Sequence, residues 1–145
     1  MMITEFSNER TASIFAHVLG RIPAEDRAVI EECVLLATDD RERAAKHLGD
    51  VRAAASVSSS GVLWVDSAAM KSAHWRDLEA SIAHELAHAA LRHHWTPAAM
   101  LGRIEGEYAA DAKAVSWGYP SLVNYDTLTP RTVGGAIKTF GEIEL

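Results

Sequence analysis

The chain has 145 residues, enough for one domain with a modest core. Its formal charge of −6, with no cluster of Lys and Arg, argues against binding to nucleic acid or to an anionic membrane surface. The single cysteine, Cys33, excludes an internal disulfide and suits a reducing compartment; no stretch reads as a signal peptide or approaches the ~20 apolar residues of a membrane span, so a cytoplasmic protein is expected.

Residues 7–19 read as a helix. Ile14, Phe15, Val18 and Leu19 form its apolar stripe, Gly20 is its expected stop, and Pro23 follows. Residues 25–37 repeat the pattern, with Glu25 and Asp26 in the first turn and Val29, Ile30, Cys33, Val34 and Leu36 on the apolar side. Cys33 is expected to be a small core residue, not a nucleophile. A short helix from Arg41 to Leu48 should end at Gly49. His17 and His47 have no partner at metal spacing and read as surface or boundary residues. Residues 1–48 thus read as a helical N-terminal segment of a single domain.

The character changes at residue 50. Residues 51–58 and 62–66 are rich in Val, Ala and Ser around Ser59-Ser60-Gly61, which predicts two short strands and a tight turn. Val62-Leu63-Trp64-Val65 is almost wholly apolar and should be well covered. The alternative is an edge left open to receive an extended peptide as an added strand.

The central helix is predicted from Asp77 to His94, and it contains His84-Glu85-Leu86-Ala87-His88. Two His four apart share one helical face, about 6 Å apart along the axis, and can grip one zinc ion. Glu85, a third of a turn away, is placed to act on a water as general base. Leu78, Ile82, Leu86 and Ala89 share the opposite side, so this helix should be buried. Buried histidines need partners. They could be ordinary hydrogen-bonded core residues, but Glu85 between them favours a metal.

A catalytic zinc needs three protein ligands and one open position. His94, six residues after His88, is disfavoured because Leu91 stands where glycine would let the chain leave the helix. His93 and His94 suit the helix C-terminus instead. A second helix is predicted from Thr96-Pro97 to Trp117, stopping at Gly118, with Met100, Ile104, Tyr108 and Val115 marking its apolar face. Glu107 and Asp111, four apart, lie on or beside that face, where carboxylates are costly unless paired or bound to metal. Glu105 reads as solvated. Glu107 could complete the site while Asp111 accepts a hydrogen bond from a ligand histidine; Asp111 as direct ligand is the alternative.

Ser81-Ile82-Ala83-His84-Glu85-Leu86-Ala87-His88, followed by Glu107-Tyr108-Ala109-Ala110-Asp111, resembles the gluzincin metallopeptidases in their minimal single-domain form. The resemblance covers roughly residues 50–118. It is similar to the M48 peptidases in its second motif and to the ImmA/IrrE-type proteases in its first. The latter usually carry Gly where Ala87 stands. The resemblance implies an α+β, zincin-like fold, one Zn2+ per chain held by His84, His88 and Glu107, Glu85 as general base and Asp111 as orienter.

Residues 119–145 read as a loop around Asn124–Asp126 and a short helix opened by Thr129-Pro130, with Val133, Ile137 and Phe140 at helical spacing and Gly134-Gly135 weakening it. It should pack on the domain or cover the cleft. The resulting expectation is a zinc-dependent endopeptidase acting on a peptide or protein substrate through a zinc-activated water. Tyr119, Tyr125 and His94 are unranked candidates for the oxyanion donor. The alternatives are a non-catalytic zinc-binding interaction module, and residues 1–48 acting as an inhibitory segment over the cleft.

Overall fold

The computed structural model describes residues 2–48, 55–57, 60–68, 71, 73–92, 103–124, 129–130, 132–133 and 137–138. The architecture is α+β, with helices packed on a small mixed sheet.

The chain opens with a strand the sequence did not suggest, β1 (Ile3–Glu5). Helix α1 (Glu9–Arg21) then starts at Asn8, whose side-chain oxygen accepts from Thr11 N at 3.0 Å. It runs through Gly20 and ends after Arg21, because Ile22 is extended and Pro23 follows. Phe15 and Val18 on its expected stripe are buried.

Helix α2 (Ala24–Cys33) stops four residues earlier than its apolar pattern implies. Leu36, Ala37 and Thr38 instead form β2 (Leu36–Thr38), buried along its length. The run is short and mostly apolar, and its period cannot separate helix from strand. Backbone pairing decided it: Ile3 N donates to Leu35 O at 2.8 Å, and Leu35 N donates to Gly61 O at 2.8 Å. The N-terminal segment is therefore not simply helical. Asp39, just past β2, accepts from Ser7 N at 2.8 Å, Asn8 N at 3.1 Å and Ser67 Oγ at 2.9 Å. One carboxylate thus ties the entry of α1 to the sheet.

Helix α3 (Arg41–Leu48) lies in the crossover to the expected strand pair, β3 (Ala55–Val57) and β4 (Val62–Val65). The sheet order is β1-β2-β4-β3; the first three strands run parallel, and β3 is antiparallel to β4. Gly61 precedes β4 with φ +85, and a Cβ there would meet Cys33 O at 2.9 Å, so only glycine suits both the backbone angle and the approach.

Helix α4 (Trp75–Ala90) is the centre of the molecule. Every residue from Leu78 to Ala87 is buried. Helices α1 and α2, strand β3 and helix α5 (Arg103–Ser116) all pack on it. Each of Leu78, Ile82 and Leu86, fully enclosed, contributes about 1.5–3 kcal/mol of burial. The helix gives way at Leu91 and Arg92, the latter at φ 58. His93 and His94 lie outside the described residues, as do Thr96, Pro97 and Met100.

The buried face of α5 differs from the expected one. Ala110, Asp111 and Ala114 are buried, whereas Val115 is 45% exposed. The face therefore centres on the side that carries Glu107 and Asp111. The helix ends in a turn at Trp117 and Gly118. Asp26 of α2 braces that end, accepting from Trp117 Nε1 at 3.0 Å and pairing with Lys113 Nζ at 3.0 Å.

Among the described residues, the segment expected to form a C-terminal helix is strand instead. Val123–Asn124 (β5) pairs antiparallel with Thr129–Pro130 (β6), and Thr132–Val133 (β7) with Ile137–Lys138 (β8). Gly134, Gly135 and Phe140 lie outside the described residues. No helix among the described residues is long and apolar enough to cross a membrane.

Candidate metal centre

His84 and His88 project from the same side of α4, about 40° apart around a helix of 3.6 residues per turn. Their rings meet edge to face with centroids 4.9 Å apart. Helix α5 brings Glu107 onto them: its Oε2 lies 2.8 Å from His84 Nε2 and 3.1 Å from His88 Nε2. One oxygen from a second helix thus converges with two ring nitrogens of the first.

Glu85 borders the same point. One ligand atom each of His84, Glu85 and His88 fall within 4.8 Å of one another, so proximity alone would group these three. The Glu107 oxygen is far closer to both rings than that limit. Glu107 is therefore the better candidate for the third ligand, leaving Glu85 beside the site.

Burial tunes each group. His84 is held below its ordinary pKa, chiefly by burial and in spite of the Glu107 carboxylate, which keeps its ring neutral near pH 7. Burial alone would raise Glu107, but the hydrogen bonds to His84 and His88 outweigh it and hold the carboxyl at about 2. Glu85 is pushed well above the usual carboxylate range by burial first and by the negative Glu107 second. A neutral His84 ring beside an ionised Glu107 carboxylate suits the binding of a divalent metal.

Asp111 is 2% exposed. Its Oδ1 accepts from Leu122 N at 2.7 Å and its Oδ2 from Ser121 Oγ at 2.7 Å. It also acts electrostatically on His84. The sequence did not suggest Ser121 or Leu122: they follow Asp111 by ten and eleven residues, with no periodicity or motif to connect them.

Tyr119 is not brought to this point. It is buried, with the Arg21 guanidinium 5.4 Å from its ring centroid. Burial raises its pKa, Arg21 opposes the rise, and Glu79 adds to it. Glu79 leaves α4 about 180° around the helix from His88, and it is 4% exposed, a buried acid that no motif marks. Tyr125 and His94 lie outside the described residues.

No family model, no curated protein and no solved structure matches this chain.

Proposed function

We propose that the chain is a zincin-like, zinc-dependent endopeptidase. The observation that carries the reading is the convergence of Glu107 Oε2 on the Nε2 atoms of His84 and His88. Donors about 2.0–2.1 Å from a tetrahedral zinc stand about 3.3 Å from one another. Separations of 2.8 and 3.1 Å need only a slight spreading to reach that figure. Two imidazoles and one carboxylate suit zinc and leave a fourth position open.

His84, His88 and Glu107 would hold the ion. Bound there, zinc supplies the Lewis acidity that lowers the pKa of a water and polarises a carbonyl. Glu85 takes the proton of the attacking water and passes it to the amine nitrogen as the peptide bond breaks. Its raised proton affinity, set by burial and by the Glu107 charge, suits a group that must both accept and return a proton. An extended substrate has a place to pair: β3 ends the sheet order and packs on α4.

Metal content tests this first, measured by inductively coupled plasma mass spectrometry. The wild type is expected to hold about one zinc per chain, as a single three-ligand site implies. Glu107→Ala should lose it. Glu85→Gln should keep it and lose peptide hydrolysis by about 10²–10⁴-fold, the worth of a positioned general base. A wild type that takes up no zinc on reconstitution sinks the proposal. Zinc retained by Glu107→Ala would move the third ligand to Asp111. Zinc held tightly without hydrolysis of any peptide would leave the non-catalytic module.

A further inference from the structure

Among the described residues, two buried polar groups on one face of α4 have no hydrogen-bond partner. Ser81 is 1% exposed, and its Oγ is bonded to nothing. A helical serine ordinarily turns its hydroxyl back to the carbonyl four residues earlier; this one does not. Glu85 is 6% exposed, and its carboxyl group makes no hydrogen bond. The two stand four residues apart in the same helix, so they share a face, about 40° apart around it and about 6 Å apart along the axis. Side chains of a helix lean toward its N-terminus, which lays the glutamate arm over the turn that carries Ser81. His88, seven residues on from Ser81, returns to within about 20° of it, so the hydroxyl lies on the side of α4 that carries the metal site.

We propose that Ser81 is a positioning residue for Glu85: in the zinc-loaded protein its hydroxyl donates to the Glu85 carboxylate and holds it in one orientation beside the metal. Cβ atoms four residues apart on a helix are about 5–6 Å apart, a gap that the serine hydroxyl and the longer glutamate arm close by turning a side-chain torsion. One carboxylate oxygen then meets the hydroxyl, and the other is left for the proton it must take. A carboxylate without a donor swings freely, and a general base is effective only where its geometry is fixed. Among the described residues no other group donates to Glu85. The pairing also gives a use to a buried hydroxyl at a position where alanine would fill nearly the same space. The inference rests on the zinc reading of the site.

The test uses the full zinc-loaded chain and acetohydroxamate, a two-oxygen zinc ligand that gives its hydroxyl proton to a base beside the metal. Its binding, measured by isothermal titration calorimetry, depends on a well-placed Glu85 and needs no knowledge of the substrate. Ser81→Ala should weaken acetohydroxamate by about 10-fold, the worth of one hydrogen bond to a charged group. Zn2+ affinity, measured by chelator competition, should be unchanged, because the hydroxyl bonds to no ligand of the metal. Ser81→Cys keeps the volume but offers only a weak donor, so it should behave like Ser81→Ala. In a Glu85→Ala background, Ser81→Ala should cost nothing further, since residues acting through one another are not additive. A crystal structure of the zinc-loaded wild type should place Ser81 Oγ about 2.5–3.0 Å from a Glu85 oxygen. The melting temperature of the metal-free Ser81→Ala chain should not fall, because the metal-free fold gives this hydroxyl no partner to lose.

Wild-type acetohydroxamate binding by Ser81→Ala would overturn the inference while leaving the zinc reading intact. So would a Ser81–Glu85 separation beyond about 3.5 Å in the zinc-loaded crystal, and that distance decides alone if acetohydroxamate binds the wild type too weakly to measure. A loss that persists undiminished in the Glu85→Ala background would also overturn it, by assigning the hydroxyl to the bound molecule itself. Zinc affinity and melting temperature falling together in Ser81→Ala would reduce the residue to a structural role. If the wild type binds no Zn2+, the zinc reading itself fails and this inference falls with it.

Discussion

Glu107 and Glu85 flank the same pair of histidines, yet their proton affinities move in opposite directions. Burial raises both. Glu107 is rescued by two hydrogen bonds to imidazole, whereas Glu85 meets the Glu107 charge instead. Contact geometry, not residue type, separates the two carboxylates here. Glu107→Gln keeps the shape and loses the charge, so chelator competition should show zinc weakened beyond the about 10–100-fold typical of an outer carboxylate. Asp39 gives a second residue-scale expectation. Burial raises its pKa, but the amides of Ser7 and Asn8 and the hydroxyls of Ser67 and Ser7 hold it below 3.8 overall. Its folded pKa is therefore depressed, and its stabilising effect is present above pH 3.8 and lost as pH falls through the lower folded value. Asp39→Asn should cost about 2 kcal/mol at pH 7, the scale of hydrogen bonds to a charged group. Urea denaturation across pH should show the gap to wild type closing below about pH 4.

The site depends on two helices keeping one relation. Helix α4 is locked by its surroundings on nearly every side, but α5 offers mainly alanines to the core, namely Ala110 and Ala114. Small side chains let the helices approach closely and contribute little burial of their own. The polar contacts at the far end of α5 therefore matter. Asp26 of α2 holds Trp117 and Lys113 there, both at 3.0 Å. Asp26→Ala should cost about 1–2 kcal/mol, because the Trp117 indole N–H loses its charged acceptor while the partly exposed ion pair adds little. Differential scanning calorimetry of the metal-free chain would register this as a lower melting temperature. An unchanged transition would mean that α5 is held by packing alone.

Over the whole molecule, residues 1–48 are not an appendage. They supply β1 and β2 of the sheet, and α1 and α2 pack on α4. Ile30, Cys33, Val34 and Ala37 sit in the same core as Leu63 and Ile82. A segment whose removal would expose that core cannot serve as a detachable cover for a cleft. A chain starting near Gly49 should fail to fold cooperatively, with no sharp thermal transition and with proteolysis throughout. A stable, zinc-binding truncation would return residues 1–48 to the role of a regulatory segment.

Much of the local structure was decided by short-range spacing. The i, i+4 separation of His84 and His88 determined that they share a face, and the same spacing put Glu107 and Asp111 together on α5, because a helix imposes its period wherever it forms. The β3–β4 pair was legible from Ser-Gly punctuation between apolar runs, and Arg41–Leu48 from its own helical pattern. What the sequence could not determine were contacts without a period. Three-residue strands such as Ile3–Glu5 and Leu36–Thr38 carry too few positions to declare themselves, and only pairing across the sheet made them strands. The segment after Thr129 has the pattern of a weak helix, and antiparallel pairing makes its described residues strands. Tyr119 was drawn to Arg21 and Glu79 on the far side of α4. Ser121 was placed on Asp111 by the path of the chain after α5. Helical spacing is a local property of the backbone and survives in the sequence; a long-range contact is a property of the packed whole, and only the tertiary structure holds it.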